Sequence, residues 1–179
     1  MSWSSILHFT LIFLFGLLLA GLQTSFWFQL FGSTTPPLLW LVVFTYIIIY
    51  RLGMSALLQL MFLGLMLAYF SGTSLKVFYI CLLSYYLIIY FIKSRIFWNG
   101  AGYFLLMCAV GSVAYHVIFV TATILMDRSR PDSLWLERAT QILFTPAFAF
   151  PIFWFMQRLD SMFFRRELKA EVTGGTAYE

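Results

Sequence analysis

The sequence predicts an all-α, polytopic membrane protein of six transmembrane helices. Three observations lead there. Hydrophobic residues make up 62% of the 179 and charged residues 10%, against about 45–50% and about 25% in soluble domains. No charged side chain occurs before Arg51. The apolar residues fall into six runs separated by short polar, glycine or proline stretches. A soluble chain of this length has too little interior to hide that much apolar surface, so lipid must act as solvent for most of it. The expected organisation is one transmembrane domain, residues 1–164, with spans at 6–31, 37–50, 54–70, 75–92, 97–126 and 139–158. A disordered cytoplasmic tail, 165–179, is expected to follow.

The first run has no basic residue before it and extends over roughly 26 residues, too long for a cleaved signal core, so it reads as a retained helix. The turn Gly32-Ser-Thr-Thr-Pro36-Pro37 follows, and its prolines suit the first turn of a new helix. The second run, Leu38 to Tyr50, reaches only about 20 Å as a helix, short of the roughly 30 Å hydrocarbon core. It therefore needs the proline turn at one end and a snorkelling Arg51 at the other. A re-entrant hairpin over Leu38 to Phe70 is the alternative topology. The third run ends at Phe70 before a Ser71-Gly72-Thr73-Ser74 turn. The fourth carries Tyr79, Tyr85, Tyr86 and Tyr90 and stops at Lys93 and Arg95. The fifth run, Ile96 to Met126, is about 46 Å long if wholly helical, so it must tilt, start late near Asn99 or project from the membrane. Asp127 to Arg138 is the one sizeable polar loop, and its Pro131-Asp132-Ser133 suits the start of a short helix.

Six crossings put both termini on one side, together with seven basic residues: Arg51, Lys93, Arg95, Arg158, Arg165, Arg166 and Lys169. The other side holds four: Lys76, Arg128, Arg130 and Arg138. The excess predicts cytoplasmic termini. Trp27, Trp40 and Trp135 fall near the outer boundary and Trp3, Trp98 and Trp154 near the inner one, as interfacial indoles should. The net charge of +4 suits basic loops facing anionic lipid. The basic residues are scattered between apolar runs and form no nucleic-acid stripe.

Nothing in the chain resembles an active site. The interior of every predicted span lacks Asp, Glu, Lys and Arg, the groups on which intramembrane chemistry depends. Zinc-protease spacing and a Gly-rich phosphate loop are both missing, so no metal or cofactor site is predicted. Cys81 and Cys108 lie deep in apolar runs and read as small hydrophobes. His116 is the one titratable group at depth besides thiols and phenols, four residues after Ser112 and on the same helix face. It reads as an imidazole bonded across to another helix, with Gln59, Tyr79 and Thr145 as candidate partners. These four residues, Gln59, Tyr79, His116 and Thr145, are the candidate interhelical or pocket polar set. Gly16 to Ala20 and Gly64 to Ala68 have the small-xxx-small spacing of closely packed membrane helices. Pro146 and Pro151 interrupt the last span and free the carbonyls of Ile142 and Ala147. A bent final helix is expected, with Thr145 available to a freed group and the bend a candidate groove wall for a partner helix.

Two stretches resemble a known family. Gly64-Leu-Met-Leu-Ala68-Tyr-Phe-Ser71-Gly72, followed by Leu75 and an aromatic span to Lys93-Ser-Arg95, resembles the middle of MreD, the rod shape-determining membrane protein. Pro151-Ile-Phe-Trp-Phe-Met-Gln-Arg158-Leu-Asp160 resembles the MreD terminus. The Pro-Pro pair and the uncharged first helix are similar too, so the likeness runs from about residue 5 to 167. The resemblance implies a non-enzymatic scaffold of the bacterial inner membrane within the cell-elongation machinery. It implies binding to MreC, a single-pass membrane protein, and through it an influence on RodA with its transpeptidase partner and on MreB. It also implies a fold like the substrate-binding subunits of vitamin (ECF-type) transporters, which makes a small-molecule-binding subunit the alternative function.

Overall fold

The computed structural model describes residues 3–32, 34–51, 53–71, 74–96, 100–126 and 135–174, and their side chains except those of 3–6, 8, 53, 70, 135 and 163–174. The described residues are helical nearly throughout. The helices are α1 (Trp3–Gly21), a π-helical turn (Leu22–Phe26), α2 (Trp27–Phe31), α3 (Leu39–Tyr50), α4 (Gly53–Ser71), α5 (Leu75–Arg95), α6 (Ala101–Met126) and α7 (Trp135–Gly174). Four segments are long and apolar enough to cross a membrane: Phe9–Phe31, Leu75–Arg95, Ala101–Met126 and Leu136–Met162. They are compatible with a multi-pass membrane protein. Their outward faces carry exposed Leu18, Leu87, Val117 and Leu143, as expected of helices solvated by lipid.

α3 is the hub. Its 12 residues are apolar on every side, and all but Tyr50 are buried. It packs against α1, α4, α5, α6 and α7. A helix that is hydrophobic all round belongs in a protein core or in lipid, and here five neighbours enclose it. The shortness of the second run thus has a structural role: it makes the bundle's central post. Trp40 belongs to this post. It is buried, edge-on to Phe44 and Tyr115 at 5.2 Å each, so the expected interfacial anchor is a core residue. Trp27 and Trp154 do sit on the surface side, Trp154 under the Arg158 guanidinium at 5.3 Å.

Close approach around the post depends on small residues. A Cβ on Gly111 of α6 would lie 2.6 Å from Tyr85 Oη of α5, and that hydroxyl is in turn 2.6 Å from Thr45 Oγ1 of α3. Thr45 already donates to the Leu41 carbonyl at 2.8 Å, so Tyr85 is the donor of the pair. In the same way Gly16 lets the Leu63 side chain of α4 rest against α1, which accounts for the first small-xxx-small stretch.

One expectation changes at the C-terminal end. α7 continues as one 40-residue helix through Pro146, Pro151 and on to Gly174. Residues 165–174 are therefore helical where a disordered tail was expected, because nothing in Arg165-Arg-Glu-Leu-Lys-Ala-Glu opposes helix propagation from the apolar span before it. Residues 175–179, the Gly72-Thr73 turn, the proposed helix start at Pro131, and Trp98 lie outside the described residues.

Candidate functional site

The polar side chains of the interior gather at the two ends of α3. At its C-terminal end, Arg51 pairs with Asp160 of α7, Nη2 to Oδ1 at 3.1 Å. Asp160 Oδ2 also accepts the Tyr46 hydroxyl at 2.5 Å. Lys93 at the end of α5 donates to the Ile48 carbonyl at 3.0 Å. Side chains of Arg51 and Asp160 are only 16% and 22% exposed, so this is a largely enclosed clasp between α3 and α7. Tyr46, Phe104 and Phe153 stack around it.

At the other end, the chain enters α3 through residues without regular structure, Thr35 to Leu38. Unwound backbone inside an apolar bundle is stable only if its polar groups find partners. Pro36 and Pro37 have no N–H to satisfy. The first two free donors are met from different helices: Leu38 N donates to Thr145 Oγ1 at 3.0 Å, and Leu39 N to Gln23 Oε1 at 3.2 Å. Gln141 Nε2 donates to the Pro36 carbonyl at 3.1 Å. Thr145 Oγ1 itself donates to the Gln141 carbonyl at 2.7 Å. Thus α1 and α7 hold the entry segment from both sides.

His116 completes this set. Its Nδ1 lies 2.8 Å from the Ser112 carbonyl and its Nε2 lies 2.9 Å from Gln141 Oε1. The ring thus ties the α6 backbone to the Gln141 amide of α7, which in turn reaches the Pro36 carbonyl.

Above this network lies a cavity of about 390 Å³. Every helix except α2 reaches it: Ala20 from α1, with Gln23 and Thr24 from the π-helical turn; Trp40 from α3; Leu67 and Ser71 from α4; Phe78 from α5; Tyr115, His116 and Phe119 from α6; Glu137, Arg138 and Gln141 from α7. The Arg138 guanidinium lies over the Phe119 ring at 5.4 Å. A second, much smaller void of about 10 Å³ is lined by Ile12, Ile47, Gln59 and Leu63, and the buried Gln59 Oε1 accepts no hydrogen bond there.

The four polar residues singled out in the sequence are therefore dispersed. His116 and Thr145 belong to the entry network, with Gln141 as the partner of each. Gln59 sits in the small void, and Tyr79 donates to the Met61 carbonyl of α4 at 3.4 Å. His116, Thr145 and Tyr79 each bond to another helix or to the segment entering α3, and among the described residues His116 lines the large cavity while Gln59 lines the small void. The freed Ile142 carbonyl is approached by Ser112 Oγ of α6 at 3.5 Å, not by Thr145. Of the two prolines, Pro151 is exposed and Pro146 half-buried. Gln23, Gln141, Arg51 and Asp160 were not legible as site residues, although buried prolines without a helix around them are a signal that amide side chains must be nearby. Among the described residues no cluster of three metal-ligating side chains occurs.

The chain matches no protein-family model, no curated protein and no solved structure. The geometry alone describes a helical bundle hung on a buried post, clasped by charge at one end and capped by an amide-rich cavity at the other.

Proposed function

We propose that the chain is a non-enzymatic membrane scaffold of the MreD type, which binds MreC and helps regulate peptidoglycan synthesis and rod shape. The observation that carries this reading is the Arg51–Asp160–Tyr46 clasp. Asp160 ends the Arg158-Leu-Asp160 stretch on which the resemblance to that family rests. In the bundle it does the work of a fastener, tying the last helix to the central post. A residue used in that way suits a platform better than a catalyst.

The proposed topology has six crossings. α4 spans about 28 Å at 1.5 Å per residue. α3 adds about 18 Å to the roughly 13 Å of the extended Thr35–Leu38 segment, which together approach the 30 Å of a bilayer core. Arg51, Lys93 and Asp160 at one bundle end, and Arg138 at the other, agree with cytoplasmic termini in a bacterial inner membrane. Bound MreC would lie against exposed apolar helix surface, α7 with Phe150, Pro151 and Trp154 being the candidate. The alternative of a vitamin-type transporter subunit relied on Gln59, Tyr79 and His116 sharing one pocket, and their dispersal favours the scaffold.

Co-purification of the full chain with MreC from membranes tests the reading. A chain that stays monomeric, folded and unbound to MreC in both detergent and nanodiscs refutes it. So does retention of rod shape when the gene is deleted.

A further inference from the structure

The large cavity has a chemistry that the scaffold reading does not use. Its wall is aromatic, with Trp40, Phe78, Tyr115 and Phe119. Its volume falls at the small end of the about 300–1,000 Å³ typical of small-molecule sites. Its polar groups include the donors Trp40, Tyr115 and Arg138. Trp40 and Tyr115 are both more than nine-tenths buried, yet among the described residues neither the indole N–H nor the phenol O–H has a hydrogen-bond partner. Buried Trp and Tyr ordinarily place those groups on an acceptor. Arg138 points its cation at the same space, and no carboxylate among the described residues lies within ion-pairing distance of it. The acceptors of Gln23 and Gln141 are already taken by Leu39 N and His116. Glu137 is the single acidic group in the lining.

We propose that this cavity binds an amphiphile bearing one acidic group, a carboxylate or a phosphate, on a compact apolar body. The acid accepts from Arg138, Tyr115 and Trp40; the body lies against Phe78, Phe119 and Leu67. A cation with an unpaired fork and two idle donors in a partly desolvated bowl favours an anion over a neutral ligand of the same size. The acid could belong to a free solute or to a lipid headgroup, since the cavity opens at the end of the bundle.

The test uses the full chain in a neutral detergent, with octanoate, octyl phosphate and octanol as probes of equal chain length. Both anions are expected to raise the unfolding temperature saturably, and octanol at equal concentration is not. Arg138→Gln is expected to weaken anion binding at least tenfold. Glu137→Gln, which removes the opposing carboxylate, is expected to tighten it. Thr24→Phe, at an exposed rim position, is expected to abolish the response to both anions, and it keeps the test decisive if Arg138→Gln fails to fold. Equal responses to octanol and octanoate overturn the proposal, as does an anion response unchanged in both Arg138→Gln and Thr24→Phe. The source is separated in zwitterionic nanodiscs: added phosphatidate that displaces bound octyl phosphate points to a lipid headgroup, and failure to displace it points to a free solute. Because MreC is absent throughout, failure here leaves the scaffold reading standing, and the reverse also holds.

Discussion

Replacing Asp160 by Asn separates a structural clasp from an incidental surface pair. The carboxylate pairs with Arg51 and also accepts from Tyr46. Exposed pairs of this kind contribute about 0–1 kcal/mol, whereas removing one partner of an enclosed pair costs about 3–5 kcal/mol. With side chains 16% and 22% exposed, the clasp lies nearer the enclosed limit but keeps some water. The amide of Asn still accepts from Tyr46, but more weakly, because bonds to a charged acceptor contribute about 1.5–3 kcal/mol against about 1 for neutral ones. A loss of about 2–3 kcal/mol follows, which for a domain of this size is a fall of roughly 5–10 °C in unfolding temperature. The assay is thermal unfolding in mild detergent, monitored by far-ultraviolet circular dichroism. Arg51→Met and the double variant complete a cycle. The double variant should lose at least 1 kcal/mol less than the sum of the two single losses, because the second removal no longer leaves a charge without its partner. A single-variant fall below about 1 °C, or strict additivity, refutes the assignment of Asp160 as the fastener of α7.

Three further outcomes follow from the packing. Gly111→Ala places a Cβ 2.6 Å from the hydrogen-bonded Tyr85 hydroxyl and should cost about 1–3 kcal/mol by overpacking, while Gly102→Ala, with nothing within 4 Å, should gain about 0.5–1 kcal/mol of helix propensity; unfolding of the pair side by side checks both. Gln59→Leu removes an acceptor that is buried without a donor and should leave stability equal or higher by about 1 kcal/mol, with a lowered unfolding temperature as the contrary result. Gln141→Leu severs the bonds to His116 and Pro36 and should cost about 2–4 kcal/mol, with faster amide exchange at Leu38 and Leu39 than in the parent chain; unchanged exchange there would show that the entry segment does not depend on Gln141.

Much of the helical plan was legible in the sequence. The punctuation at Gly32 to Pro37, at Arg51 to Gly53 and at Ser71 to Ser74 marks where helices end, because Gly, Pro and short polar residues interrupt apolar periodicity regardless of what packs nearby. The last helix was misjudged at its end, since Arg165 to Glu171 looks like a solvated tail, yet it contains only good helix formers and follows an already nucleated helix. The candidate site was less legible. His116 and Thr145 stood out because a polar group at depth needs a partner, but Gln141, 25 residues from His116, could not be named as that partner. Trp40 fits an interfacial anchor by position and a core residue by contact, and position alone does not distinguish them.

Composition and run length by themselves determined the helical character of the described residues and a set of apolar helices compatible with a multi-pass membrane protein. They determined this because the transfer of apolar surface out of water depends on how much there is and not on where it packs. Which short run becomes the enclosed post was decided only by the tertiary structure. So were the Asp160 clasp on Arg51 and the convergence of Gln23, Gln141 and Thr145 on the backbone at Pro36 to Leu39. Hydrogen bonds and ion pairs are directional and short-ranged. Their partners lie up to 114 residues apart, and they meet only when the helices have already been brought side by side.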